Sequence, residues 1–170
     1  LSNPDEAVSE ISLDRANLKR SISISKPSSQ EIQNAAQMIN EASRPIIYAG
    51  GGVKISGAEP ELLELAEKAD IPVSESLMGR DVFPAKHPLC TWMVGMHGTN
   101  ASNLGITNSD LVIAIGARFS DRVLGDPKHF AANSKVLHID IDPAEINKNI
   151  STDACLVGDV KKVLKELLPL

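Results

Sequence analysis

Aromatic residues are scarce: three Phe, one Tyr and one Trp in 170 residues. A core built from this sequence must be aliphatic. Cysteine is rarer still. Cys90 and Cys155 stand far apart, with no CxxC pair and no Cys/His cluster, so no zinc site can be read and reduced interior thiols are the plain expectation. No apolar run is long. Leu111 to Ile115 is the longest, far short of the roughly 18 residues a membrane span needs. No charged segment leading into an apolar one opens the chain, so no secretory signal is expected and a cytoplasmic location is. Basic residues do not dominate: 17 Lys and Arg face 22 Asp and Glu, for a formal charge of -5. They are scattered rather than striped, which leaves nucleic acid an unlikely partner on electrostatic grounds.

What is present is ordinary globular material. Apolar residues make up 42% and charged residues 23%, which excludes a wholly disordered chain. The length suits one domain of about 150 residues with a tail. Residues 1–27 carry no sustained period and turn signals at Asn3-Pro4-Asp5 and Lys26-Pro27. Ser21 to Ser25 alternates like a short strand with only two apolar residues. This stretch reads as a linker or arm from a preceding domain, and 28–170 as the domain itself.

From Ser28 the pattern becomes regular. Ser28 and Glu31 fit a capping box, and Ile32, Ala35, Ala36, Ile39 and Ala42 follow at helical spacing. Ile46 to Ala49 is a continuous apolar strand ended by Gly50-Gly51-Gly52. A second helix is expected with Leu62, Leu63, Leu65, Ala66 and Ala69 on its buried face. Ile71 to Ser74 reads as a short strand, 79–97 as irregular, and 100–108 as a helix with Ala101, Leu104 and Ile106 inward. Leu111 to Ile115, Val136 to Ile141 and Leu156-Val157 are further strands, before a last helix with Val160, Val163, Leu164, Leu167 and Leu168. Strands apolar on both sides imply burial on both faces. Alternation with helices implies a parallel sheet. The expected fold is a doubly wound, Rossmann-like α/β sheet of five or six strands with helices on both faces.

In such sheets ligands sit beyond the carboxyl ends of the strands. That rule selects Gly50-Gly51-Gly52, Ser76-Leu77-Met78-Gly79, Gly116-Ala117-Arg118, Asp140-Ile141-Asp142 and Gly158-Asp159. The glycines let backbone approach a bound pyrophosphate or other flat polar group; a tight turn without ligand explains them equally well. The GxGxxG dinucleotide pattern is not met, because Ile55 stands where its last Gly belongs, so NAD in the usual mode is disfavoured. Asp142-Pro143 suits a helix cap, which leaves Asp140 to accept from ribose hydroxyls. Arg118 and Arg122 flank Phe119-Ser120-Asp121. A guanidinium there can clamp a phosphate or carboxylate, or pair with Asp121 or Asp126 at the surface. His97, between glycines in Gly95-Met96-His97-Gly98-Thr99, is placed for base chemistry, but no Ser or Cys nucleophile sits in an elbow. His87, His129 and His138 look structural.

These strand-end segments, in this order, resemble the central domain of the acetolactate synthase (acetohydroxyacid synthase) catalytic-subunit family. The stretches are Arg44 to Gly52, Leu77-Met78-Gly79, Gly95 to Thr99, Asp110 to Phe119, Asp121-Arg122-Val123, His138 to Ile146 and Gly158-Asp159-Val160. Gly95 to Thr99 discriminates most, since other thiamine-diphosphate enzymes share the glycine and HIDIDP-like parts. The resemblance implies an enzyme that condenses pyruvate with a second 2-oxo acid in branched-chain amino-acid synthesis, with thiamine diphosphate and Mg2+ held by other domains. It implies that this domain binds FAD without net redox change. The FAD contacts would be Gly50, Gly51, Gly52, Ser76, Leu77, Met78, Gly79, Met96, His97, Gly98, Thr99, Gly116, Ala117, Arg118, Phe119, Ser120, Asp140, Ile141, Gly158 and Asp159. Arg122, with Asp121, would hold the second substrate's carboxylate. Ser120 stands where the family commonly has Asp, and Ser76 where it has Thr.

The family's catalytic glutamate and its GDG…N metal motif belong to other domains and have no counterpart here. No catalytic or metal-binding residue is therefore assigned, and the chain alone is expected to be inactive. The full-length parent would be a homo-oligomer, with a regulatory subunit as a further partner. Two other classes compete with this reading. A sister thiamine-diphosphate decarboxylase, oxidase or acyltransferase is opposed by Gly95 to Thr99. A sirtuin-like NAD-consuming protein, suggested by Ala49 to Val53 with Ser56-Gly57, is opposed by the missing CxxC pairs.

Overall fold

The computed structural model describes residues 26–120, 123, 130, 131 and 133–170. The possible strand at Ser21 to Ser25, His129, Asp121 and Arg122 lie outside them. The first helix, α1 (Ser29–Glu41), begins where its capping box requires. The Ser28 hydroxyl accepts from the Glu31 amide at 3.2 Å, and the Glu31 carboxylate accepts from the Ser28 amide at 2.7 Å. Its buried face is Ile32, Ala35, Ala36 and Ile39.

Six parallel strands form one sheet: β1 (Pro45–Ala49), β2 (Val73–Glu75), β3 (Cys90–Met93), β4 (Leu111–Ile115), β5 (Lys135–Asp140) and β6 (Ala154–Val157), in the order β3-β2-β1-β4-β5-β6. This is the doubly wound arrangement expected of continuous apolar strands, with the order reversing between β1 and β4. Every residue of β4 is buried. Side-chain alternation sends Ile47, Ile113, Leu137 and Ile139 to one face. There they meet α1, α2 (Gly51–Ser56), α3 (Glu59–Ala69) and α5 (Val160–Leu167) through Val53, Leu62, Leu65, Val163 and Leu164. The other face carries Ile46, Tyr48, Val112, Ala114 and Val136, packed on Phe119, Phe130 and Ile106 of α4 (Asn100–Asn108).

Three sequence expectations change. The stretch 79–97 is not wholly irregular, because it contains β3. That edge strand is only half-buried, and its register shifts at Val73/Ser74, where Trp92 takes φ +70. A four-residue half-buried strand with a bulge leaves no periodic signature. The face of α4 is also different: Ala101 and Leu104 are exposed, while Ser102 and Ile106 are buried. Ser102 turns inward because its hydroxyl reaches the Thr91 and Trp92 carbonyls at 2.6 and 2.8 Å. Ala69, expected inside, is exposed in the last turn of α3, where Asp70 already takes φ +52.

The glycines after β1 do more than end it, since α2 starts within them. Gly50 donates its amide to the Ile115 carbonyl and Gly52 to the Gly116 carbonyl, both at 2.9 Å. A Cβ on Gly50 would lie 2.1 Å from the Gly116 oxygen, and one on Gly52 2.7 Å from the Gly116 Cα. Backbone meets backbone here, so no side chain fits. Gly50→Ala is expected to cost about 3 kcal/mol or to prevent folding. Gly57→Ala, at φ +63 with nothing within 4 Å of its Cβ, should cost only about 1 kcal/mol. Urea unfolding of the two variants checks the contrast, and equal losses would contradict the close-approach account.

Candidate functional site

A cleft of about 610 Å³ lies over the carboxyl ends of β1, β2, β4 and β5, at the point where strand order reverses. That volume suits a small-molecule or cofactor ligand. Its wall is unusual for surface. Ile55 is 90% exposed, Met96 79%, Met78 78% and Leu77 63%, and Ile141 is also open to solvent. Large apolar side chains gathered in the open around a concavity mark a binding surface.

Each wall has a local cause. On the β2 side, Ser76 opens a single 3-10 turn, Leu77–Gly79, by accepting from the Gly79 amide at 3.0 Å. Gly79 itself is buried against the Ala49 carbonyl, so Leu77 and Met78 are pushed outward. On the β5 side, Asp142 caps the next turn, Pro143–Glu145, by accepting from the Ala144 amide at 2.9 Å. The cap role falls to Asp142, as the Asp-Pro sequence suggests. Asp140 accepts from the Asp142 amide through Oδ1 at 2.9 Å, and its carboxylate opens into the cleft. Arg118 projects 72% exposed, with Nε 3.7 Å from Glu145 Oε1. At that length the contact with the largely buried Glu145 carboxylate is loose, and the solvent-facing guanidinium still offers N–H donors to an anion in the cleft.

Beneath the cleft lies most of the chain's small aromatic complement. The Phe119 ring stands 5.8 Å from Tyr48, 5.8 Å from Phe130 and 5.2 Å from the His138 ring. Tyr48 donates its hydroxyl to the Arg118 carbonyl at 3.3 Å, and burial raises its pKa well above the ordinary phenol value. His138 Nε2 donates to the Ala117 carbonyl at 3.0 Å. Burial lowers the pKa of this imidazole, and the nearby Asp140 charge opposes that shift only in part. His138 is therefore structural: it holds the backbone on which Ala117 and Arg118 sit.

The expected site residues divide by location. Gly51, Gly52, Ser76, Leu77, Met78, Met96, His97, Gly116, Ala117, Arg118, Ser120, Asp140 and Ile141 line the cleft together. Gly50, Gly79 and Phe119 lie directly behind it and shape it. Thr99 caps α4, accepting from the Ser102 amide at 3.1 Å, and Gly98 closes the preceding turn. Gly158 and Asp159 stand one strand away. Gly158 donates to the Asp140 carbonyl at 2.9 Å, and Asp159 caps α5 beside a separate cleft of about 430 Å³ lined by Lys26, Lys162 and Lys165. Sequence reasoning missed Tyr48, Ile55, Met93, Val94 and Val123 as lining residues, and gave Asp142, which the strand-end rule selected, only a capping role. The unpaired apolar Ile55 just past the glycines was the one available signal. Among the described residues, no group of three or more His, Cys, Asp or Glu side chains could hold a metal ion, and no helix is long and apolar enough to cross a membrane.

Fold and cleft together define a doubly wound α/β domain with an apolar-rimmed cavity at its switch point. Residues 32–167 match the thiamine pyrophosphate enzyme central domain, and the chain belongs to that family. It is similar to a probable acetolactate synthase large subunit of Methanocaldococcus jannaschii, 58% identical over 138 residues. That match covers 81% of this chain and 23% of the relative. Acetolactate synthases of Arthrospira platensis and Mycobacterium bovis are each 49% identical, over 142 and 143 residues. Those matches cover 82% and 84% of this chain, and 24% and 23% of the relatives. The chain thus spans about a quarter of the length of the curated relatives it matches.

The buried imidazole has a consequence for stability. The fold favours neutral His138, whereas an unfolded histidine titrates near 6.5. Stability from this group is present above the unfolded value and is lost as pH falls through the lowered folded one. His138→Gln keeps an N–H for Ala117 and removes the titration. The urea midpoint should fall less in the variant than in the wild type between about pH 7.5 and pH 5.5. Parallel curves would contradict a buried neutral His138.

Proposed function

We propose that the switch-point cleft holds FAD in a structural role, and that the chain is the central domain of an acetolactate synthase large subunit. The full enzyme would join two molecules of pyruvate, or pyruvate and 2-oxobutyrate, with release of CO2. Thiamine diphosphate and Mg2+ would be held by other domains, and Asp121 and Arg122 would face the second substrate. The observation that carries this reading is the cleft wall itself. Met96 and His97, from the most discriminating segment of the resemblance, line the same cavity as Gly51, Arg118 and Asp140. The names of relatives at 49–58% identity point the same way.

The residues present fit a dinucleotide. The carboxylate of Asp140, a largely buried residue already oriented by the Asp142 amide, is an acceptor set for vicinal hydroxyls. Arg118 offers planar donors to a pyrophosphate. Met78, Met96, Ile55 and Leu77 present apolar and polarisable surface to flat rings. The flavin would contribute bulk and rigidity where the domains meet, with no net electron transfer. Among the described residues, none in the cleft is arranged as a nucleophile with its base, and the chain on its own should form no acetolactate from pyruvate.

Purified at full length and desalted after incubation with FAD, the protein should retain a flavin absorption spectrum that pyruvate alone does not bleach. Loss of the flavin on desalting, or stoichiometric bleaching, would overturn the reading. Asp140→Ala removes a charged acceptor and should weaken FAD binding about 10- to 100-fold in a fluorescence titration. An unchanged Kd would remove Asp140 from the site.

A further inference from the structure

The wall bearing Met96 and His97 poses a physical problem. Met96 is 79% exposed and His97 is exposed too, so neither is held in place by burial. Their position depends on the backbone that carries them, the turn from Met93 to Thr99. The Gly98 amide donates to the Gly95 carbonyl at 2.8 Å, and the Thr99 amide to the Met93 carbonyl at 2.9 Å. The apex at Gly95 takes φ +105, which glycine reaches without strain but is equally free to leave, so partners must hold it in one state.

That support comes from α4. The Gly95 amide donates to Asn103 Oδ1 at 2.9 Å, and Asn103 Nδ2 donates to the Gly95 carbonyl at 3.1 Å. One side-chain amide thus answers both polar groups of one residue, as an adjacent strand would. The helix carrying Asn103 is tied to β3 in turn. Ser102 Oγ reaches the Thr91 and Trp92 carbonyls, and Thr99 Oγ1 donates to the Thr91 carbonyl at 2.6 Å. Thr91 Oγ1 donates to the Val73 carbonyl at 3.0 Å, which leaves Ser74 Oγ the donor in its 2.8 Å contact with Thr91. Hydroxyl hydrogen bonds therefore tie α4 to β3 and β3 to β2, and Asn103 passes that rigidity to the turn. Asn103 does not line the cleft.

We propose that Asn103 is a positioning residue: a two-pronged amide clamp on Gly95 that sets Met96 and His97 in the cleft wall without touching the ligand. The choice of ligand for the test rests on the flavin reading above.

The test uses the full-length protein with Asn103→Ala and Asn103→Asp, and Asn108→Ala as control. Asn108 lies on the same helix and its side-chain amide donates within it, to the Leu104 carbonyl at 2.8 Å, while its link to Arg44 runs through the backbone carbonyl that the substitution keeps. Asn103→Asp keeps the acceptor for the Gly95 amide and loses the donor, which guards against a folding failure in the alanine variant. Two quantities are read: hydrogen exchange at the Gly98 and Thr99 amides, and the Kd for FAD. Both Asn103 variants should speed exchange at those amides and weaken FAD by about tenfold or more. Thermal midpoints should stay within about 4 °C of the control. Exchange and affinity like those of Asn108→Ala would overturn the proposal. So would a loosened turn with unchanged affinity, or a loss of protection spread evenly over the sheet. If wild-type protein takes up no FAD while the Asn103 variants still loosen the turn locally, the flavin reading fails and the clamp stands. If wild type binds FAD and the variants keep both affinity and protection, the clamp alone fails.

Discussion

The molecule depends on a pinch of backbone between two strand exits. β1 and β4 are adjacent in the sheet but far apart in the chain, they pair through Ala49 and Ile115, and strand order reverses between them. Gly50 and Gly52 lie in contact with Gly116 there, each giving an amide to the facing strand end. Because two main chains touch, α2 can leave β1 in one direction while the 116–120 segment leaves β4 in the other. The cleft is the space between those departures. Widening the pinch by one methyl group would displace the floor on which Gly51, Ala117 and Arg118 stand. Close packing makes such a displacement abrupt rather than graded.

Much of this was legible beforehand because the inner strands state their environment plainly. Ile46 to Ala49 and Leu111 to Ile115 have no polar face, and only a doubly covered sheet accepts that. Ser28 with Glu31 marked the start of α1 because a capping box is a local interaction that needs no tertiary context. What could not be read is whatever depends on a neighbour. α2 is six residues long and opens on glycines, poor helix formers; it exists because of the crossing above, not because of its composition. β3 is held by β2 on one side alone. The inward turn of Ser102 and outward turn of Leu104 reverse a simple apolar pattern because carbonyls of β3 wait for a hydroxyl. A rule that sends aliphatic residues inside has no term for that demand.

The same distinction runs through the site. Strand-end position was enough to nominate Asp140, Arg118 and Met78, since the topological rule concerns place and not chemistry. It could not separate residues that face the cavity from those that hold it up. Gly79, Phe119 and Gly50 are neighbours of the lining in sequence and supports of it in space. Tyr48 was invisible as a cleft residue because it reads as core, and Val94 because its stretch reads as irregular; both are buried and form the floor. Concentrating three of five aromatic rings and a neutral imidazole beneath one cavity gives that floor rigidity that aliphatic packing elsewhere does not require.

The irregularity in β3 has an effect beyond local geometry. An outermost parallel strand offers unpaired amides and carbonyls on its free side, and a flat one would recruit further strands from other molecules. Here the shift at Val73/Ser74 and the left-handed Trp92 twist that margin out of plane. A short, kinked border cannot template straight cross-molecular pairing. A defect in the strand's own hydrogen-bond ladder thus makes this edge a poorer template for strand addition.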